Sequence, residues 1–149
     1  MRLIAAFVLI APFVQATPQK APPPTNPFAA AKTLKCSFTA YAAVRWDKNP
    51  LQVLSDSQDF SFQIDAIDQK KKRAIIVGSG GATGQAAIAL TETGLNVIET
   101  TPGGNLNLTT VFVGDGKGPS FRAAHSRHLG DSSGAPRVSQ NYGSCEVVK

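Results

Sequence analysis

From Lys35 onward, side-chain polarity alternates with a period of two, and turn-forming residues interrupt it about every ten positions. Cys36, Phe38, Ala40, Ala42, Val44 and Trp46 share one parity, with Lys35, Ser37, Thr39, Tyr41 and Arg45 on the other. Successive side chains of an extended strand point to opposite faces, so this pattern suits a strand with one face buried and does not suit a helix. Asn49-Pro50 and the Ser55 to Gln58 stretch break it, and Phe60, Phe62, Ile64 and Ala66 resume it. Asp68 to Lys72 then reads as a polar turn and Arg73 to Val77 as the hairpin partner. Ser79-Gly80-Gly81, Thr93-Gly94, Pro102-Gly103-Gly104-Asn105 and Gly114-Asp115-Gly116 punctuate the remainder into the runs Thr83 to Thr91, Leu95 to Thr100, Leu106 to Val113, Phe121 to His128 and Val138 to Val147. The expected fold is all-β with about eight antiparallel strands, because a parallel crossover needs roughly a dozen residues and these connections are shorter.

The start of the chain has a different character. Met1-Arg2, an apolar run from Leu3 to Val14 and the small residue Ala16 have the layout of a signal peptide. The run contains Pro12 and falls short of the roughly 20 residues a membrane-spanning helix needs, so cleavage after Ala16 is expected and no span remains. Cleavage removes Arg2 as the only charge and turns a net +5 into +4. Prolines at 18, 22, 23, 24 and 27 mark residues 17–33 as a flexible linker, leaving 34–149 as a single β domain. The length of 149 residues has no room for a large cofactor enzyme, and 13 Gly with 10 Pro do not describe a helical bundle. The expected location is secreted or periplasmic in a bacterium. Only Cys36 and Cys145 occur, one early in the first strand and one late in the last, and in an exported chain such a pair reads as a disulfide. It requires the first and last strands to be neighbours, which favours a closed or nearly closed barrel over the alternative, a β-sandwich.

Several motifs carry possible chemistry. Gly78, Gly80 and Gly84 follow the apolar run Ala74 to Val77 and imitate a dinucleotide-binding turn, with Glu99 as its acid. The spacing has one residue too many, strand-like sequence precedes it, and nicotinamide cofactors are chiefly cytoplasmic, so a hairpin loop is the favoured reading and no cofactor is expected. The alternative predicts a helix from Gln85 to about Glu92. Lys70, Lys71, Lys72 and Arg73 form a basic run without interleaved aromatics, which reads as a solvated turn and not as a nucleic-acid contact.

The densest polar chemistry is His125, Ser126, Arg127 and His128 together with Ser139, Gln140, Asn141 and Tyr142. Residues three apart on a strand face opposite ways, so His125 and His128 do not chelate one metal, and no third ligand is evident. Ser126 or Ser139 with a His125 or His128 base and Asp131 would make a small secreted hydrolase, but no nucleophile elbow is present. The favoured reading is a polar cluster of His125, Arg127, His128, Gln140 and Tyr142 that is structural or binds an envelope protein or a small polar ligand. Asn107-Leu108-Thr109 is a formal glycosylation acceptor without expected consequence on a bacterial strand.

The segments Ile98 to Asn105, Thr109 to Val111, His125 to His128 and Ser139 to Cys145 resemble, in this order, an uncharacterised family of small secreted β proteins of proteobacteria. The final S-Q-x-Y-G-x-C element is the most specific part, and an early-strand cysteine, here Cys36, usually accompanies it. The resemblance covers roughly Lys35 to Glu146 and implies a compact secreted β domain with no assigned activity. A looser likeness, of architecture alone, is to the periplasmic inhibitors of c-type lysozyme. Their S-G-x-x-Y motif is missing, since Ser79-Gly80 is followed by Gly81-Ala82-Thr83. Taken together, these features lead to the expectation of a non-catalytic binding or envelope-associated module.

Overall fold

Alternating side chains on successive antiparallel strands bury their apolar parity most completely when the sheet curls back on itself. The computed structural model describes residues 26–114, 119–130 and 136–148. Its strands are β1 (Leu34–Arg45), β2 (Gln52–Asp68), β3 (Arg73–Gly78), β4 (Thr83–Thr91), β5 (Gly94–Thr100), β6 (Leu106–Phe112), β7 (Ser120–Leu129) and β8 (Arg137–Val147). Each pairs antiparallel with its sequence neighbours, and β8 returns to β1, so the eight strands form a closed barrel and not a sandwich.

The seam between β1 and β8 is held covalently. Cys36 and Cys145 are directly opposed in the register and joined by a disulfide, with their Cα atoms 4.0 Å apart. Two positions away Phe38 faces Gly143, next to an irregularity in β1 between Phe38 and Ala40. A Cβ on Gly143 would lie 2.0 Å from the Ser37 carbonyl oxygen and 2.6 Å from the Phe38 Cα, so only glycine permits this approach of the two strands.

One half of the interior is apolar. Leu34, Ile64, Ile67, Leu95, Val97 and Val111 are buried there with both cysteines. The end of this half is sealed by residues 26–33, which corrects the expectation of a linker reaching to residue 33. Phe28 is fully buried and meets Phe121 edge-on at 4.7 Å. Asn26 Nδ2 donates to the Thr91 carbonyl at 2.6 Å, and the Ile67 amide donates to the Lys32 carbonyl at 3.0 Å. The prolines of the leader end at Pro27, and burying a phenylalanine contributes about 1.5–3 kcal/mol, part of what offsets the entropy of ordering this segment. The expected signal peptide, 1–16, and the rest of the expected linker, 17–25, lie outside the described residues.

A second correction concerns Ser55 to Gln58, expected as a break. These residues belong to β2, a strand of 17 residues, with Ser55, Asp56 and Ser57 paired to Ala42, Tyr41 and Ala40 of β1. Before Phe62 β2 has no β3 partner and is an edge strand beside β1, which stays paired with β8 as far as Ala43, so only the tip of the β1–β2 ribbon projects past the ring. Both of its faces meet solvent there, and the apolar alternation is not needed.

Candidate functional site

Opposite the sealed end, the inward parity turns polar. On β5 the buried Leu95 and Val97 are followed on the same parity by Glu99; on β6 the series is Val111, Thr109, Asn107; on β7 it is Ala123, His125, Arg127. The register sets Glu99 opposite Asn107 and Asn107 opposite Arg127. One layer deeper, Val97, Thr109, His125 and Asn141 face one another in turn across β5 to β8. An open cavity of about 570 Å³ occupies this mouth, walled by Phe60, Phe62 and Ile76 and lined by Glu99, Asn107, His125 and Arg127. Beneath it a void of about 10 Å³ lies between Asn107, Thr109 and His125, about the space of one water molecule.

Glu99 is held in place from two sides. Its Oε2 accepts a hydrogen bond of 2.7 Å from Asn107 Nδ2, and its Oε1 occupies the position a Cβ on Gly84 would take, 2.0 Å away. This bond turns the other Asn107 amide atom, Oδ1, away from Glu99; it is buried and has no hydrogen-bond partner among the described residues. The Arg127 guanidinium stands 5.9 Å from the centre of the Phe60 ring. No carboxylate among the described residues lies within ion-pair distance of it, although Glu99 lines the same cavity.

His125 forms the floor. Its Nδ1 shares a hydrogen bond of 2.9 Å with the Thr109 hydroxyl, and its ring is packed among Phe38, Phe60 and Phe62 at 5.7, 5.3 and 5.1 Å. Burial, reinforced by the Arg127 charge, lowers its pKa from 6.5 to about 4. The imidazole is therefore neutral at physiological pH and a weak general base. The hydroxyl it meets is that of Thr109, itself buried and out of a substrate's reach.

The expected polar cluster is divided by this arrangement. His125 and Arg127 point into the mouth, whereas His128, Gln140 and Tyr142 are exposed on the outside of the barrel. Tyr142 donates its hydroxyl hydrogen to Gln140 Oε1 there. The register explains the division: His125 opposes Asn141, while Ser126 opposes Gln140 and Ala124 opposes Tyr142, and directly opposed residues share a face. The two histidines thus face opposite sides of β7, and no group of three or more metal-ligating side chains occurs among the described residues. Ser126 faces outward with Gln140, and Ser139, opposed to Arg127, lines with it a groove along β1 that His125 does not line, so neither serine shares a cavity with His125. Asp131 lies outside the described residues.

The glycine motif is a hairpin loop, with the Gly78 amide donating to the Ala82 carbonyl at 2.8 Å and Gly81 at φ 81°. Gln85 to Leu90 lie in β4, so the helix that a nucleotide site requires is not formed. Lys70, Lys71 and Lys72 make the exposed β2–β3 turn and Arg73 opens β3. Asp68 Oδ1 accepts the Lys70 and Lys71 amides at 3.0 Å. These hydrogen bonds, led by that from Lys71, and the charges of Lys71 and Arg73 hold the Asp68 carboxyl below the usual range.

The place of Asn107 in the mouth was not legible as a function from the sequence, and Glu99 was legible only as part of a nucleotide motif the fold does not make. The usable signal is parity: each is a polar residue continuing an apolar series at the same end of its strand. No protein-family model matches the chain, and no curated protein matches it.

Proposed function

We propose that this chain is a non-catalytic secreted or periplasmic β domain that binds a small polar ligand in the open mouth of its barrel. The observation that carries this reading is the convergence of the Glu99 carboxylate and the Arg127 guanidinium, which has no carboxylate in ion-pair range among the described residues, on one cavity with phenylalanine walls. Barrels of about eight strands are just wide enough to be filled by side chains or to hold one small ligand. Here the closed half is filled and the open half retains the cavity. An apolar pocket with a few convergent polar groups is the usual form of a small-molecule site.

The proposed location rests on the leader at 1–16 and on the disulfide, which persists in oxidising compartments. The resemblance to small secreted proteobacterial proteins belongs to the same reading; Gly143 and Cys145 of its S-Q-x-Y-G-x-C element both hold the β1–β8 seam.

The test uses 1-anilinonaphthalene-8-sulfonate, a fluorescent anion with an apolar body. Its emission should rise on adding the mature chain and return to baseline with Ala82→Trp, which places a large ring at the exposed rim of the cavity. Equal emission with the variant would overturn the mouth as the site.

A further inference from the structure

The two charged groups that line the mouth are of opposite sign, and neither is ion-paired among the described residues. On β5 stands an acceptor, the Glu99 carboxylate, fixed by the hydrogen bond from Asn107 Nδ2 to its Oε2. On β7 stands a donor, the Arg127 guanidinium, with no carboxylate in ion-pair range among the described residues. A simple anion would satisfy Arg127 but enter against Glu99. A simple cation would satisfy Glu99 but enter against Arg127. Buried polar groups gain from a ligand only when each meets its complement. His125, neutral at the floor, adds no charge to this balance, and Phe60, Phe62 and Ile76 offer apolar wall between the two poles.

We infer that the mouth binds a zwitterion of the amino-acid class with an apolar side chain, its ammonium on Glu99, its carboxylate on Arg127, and its side chain against Phe60 and Phe62. This inference rests on the binding reading above. Arg127 offers a planar fork of donors suited to a carboxylate, and an ammonium has only donors, which the Glu99 carboxylate accepts. The breadth of the cavity admits a free amino acid or a dipeptide.

The experiment measures displacement of the fluorescent sulfonate from the mature chain. L-phenylalanine and L-leucyl-L-phenylalanine are compared with 2-phenylethylamine, which lacks the carboxylate, and 3-phenylpropionate, which lacks the ammonium. At least one zwitterion should compete about ten-fold or more better than either single-charge analogue, the size expected for one charge-assisted hydrogen bond. By direct calorimetry, Arg127→Met should remove the advantage over the amine, and Glu99→Gln the advantage over the acid. If the probe binds in the mouth but the analogues compete as well as both zwitterions, or neither zwitterion competes, the zwitterion inference fails and the binding reading stands. If Ala82→Trp leaves probe emission unchanged, the binding reading itself fails. The wild-type comparison decides the matter even where a variant does not fold.

Discussion

At the scale of single residues, His125 links the site to stability. Its folded pKa is about 4 against 6.5 for the free group. Between those values the unfolded chain binds a proton that the folded chain does not. The contribution of His125 is therefore complete above about pH 6.5, falls as the pH drops toward 4, and amounts to about 3 kcal/mol. Urea denaturation across this window should show that loss, and His125→Gln should flatten it. Asp65 titrates lower still, because the Thr33 hydroxyl and the Ala66 amide hold its carboxyl below 3.8, so its contribution is present above that range and disappears only at more acidic pH. The glycines separate structure from site in the same way. Gly143→Ala would drive a methyl into the backbone of β1 and should cost about 3 kcal/mol in the same denaturation measurement. Gly84→Ala meets only side-chain atoms of Glu99 and no backbone, so it should cost about 1 kcal/mol or less while displacing the carboxylate from Asn107 and weakening ligand binding.

At the scale of elements, the segment 26–33 acts as a base to the barrel. Phe28→Ala should destabilise the domain by about 3–5 kcal/mol, as truncation of a buried phenylalanine does, without altering ligand affinity, since Phe28 lies at the sealed end. Affinity measured by calorimetry below the unfolding transition separates the two effects. Period-two reading located the strands because the rule is local: each side chain's face follows from its neighbour's. It failed at Ser55 to Gln58, where β2 continues past its pairing with β3 as an exposed edge strand beside β1. It failed again at Phe28, whose burial depends on strands from distant parts of the sequence. The pairing of Gln140 and Tyr142 with His125 failed for a related reason. Residues close in sequence on neighbouring strands share a face only when the register allows it, and the register puts Asn141 beside His125.

At the scale of the whole molecule, the disulfide joins positions separated by 109 residues across the seam of the barrel. In the chain-entropy account a closed loop of this length restricts the unfolded state enough to contribute about 4.7 kcal/mol, and native disulfides of small secreted domains typically contribute about 2–5 kcal/mol. Cys36→Ser with Cys145→Ser should lower the urea midpoint accordingly, with far-UV circular dichroism still strand-rich at low temperature. A helical spectrum would contradict the fold. The same closure gives the barrel two unlike ends. Residues 26–33 and an apolar layer fill one, and the projecting β1–β2 ribbon and polar inward residues frame the other.

Strand content, antiparallel order and the cysteine pair were determined by the sequence alone, because alternation, turn chemistry and the count of cysteines are properties of residues near one another or few in number. The tertiary structure decided which end of the barrel stayed open and which side chains meet there. Glu99, Asn107, Arg127 and His125 come from three strands, and they converge only through the register of β5, β6 and β7. A shift of one residue in that register would turn each of them to solvent, since strand side chains alternate faces. The candidate site is therefore a consequence of pairing across the barrel, which no single segment of the sequence contains.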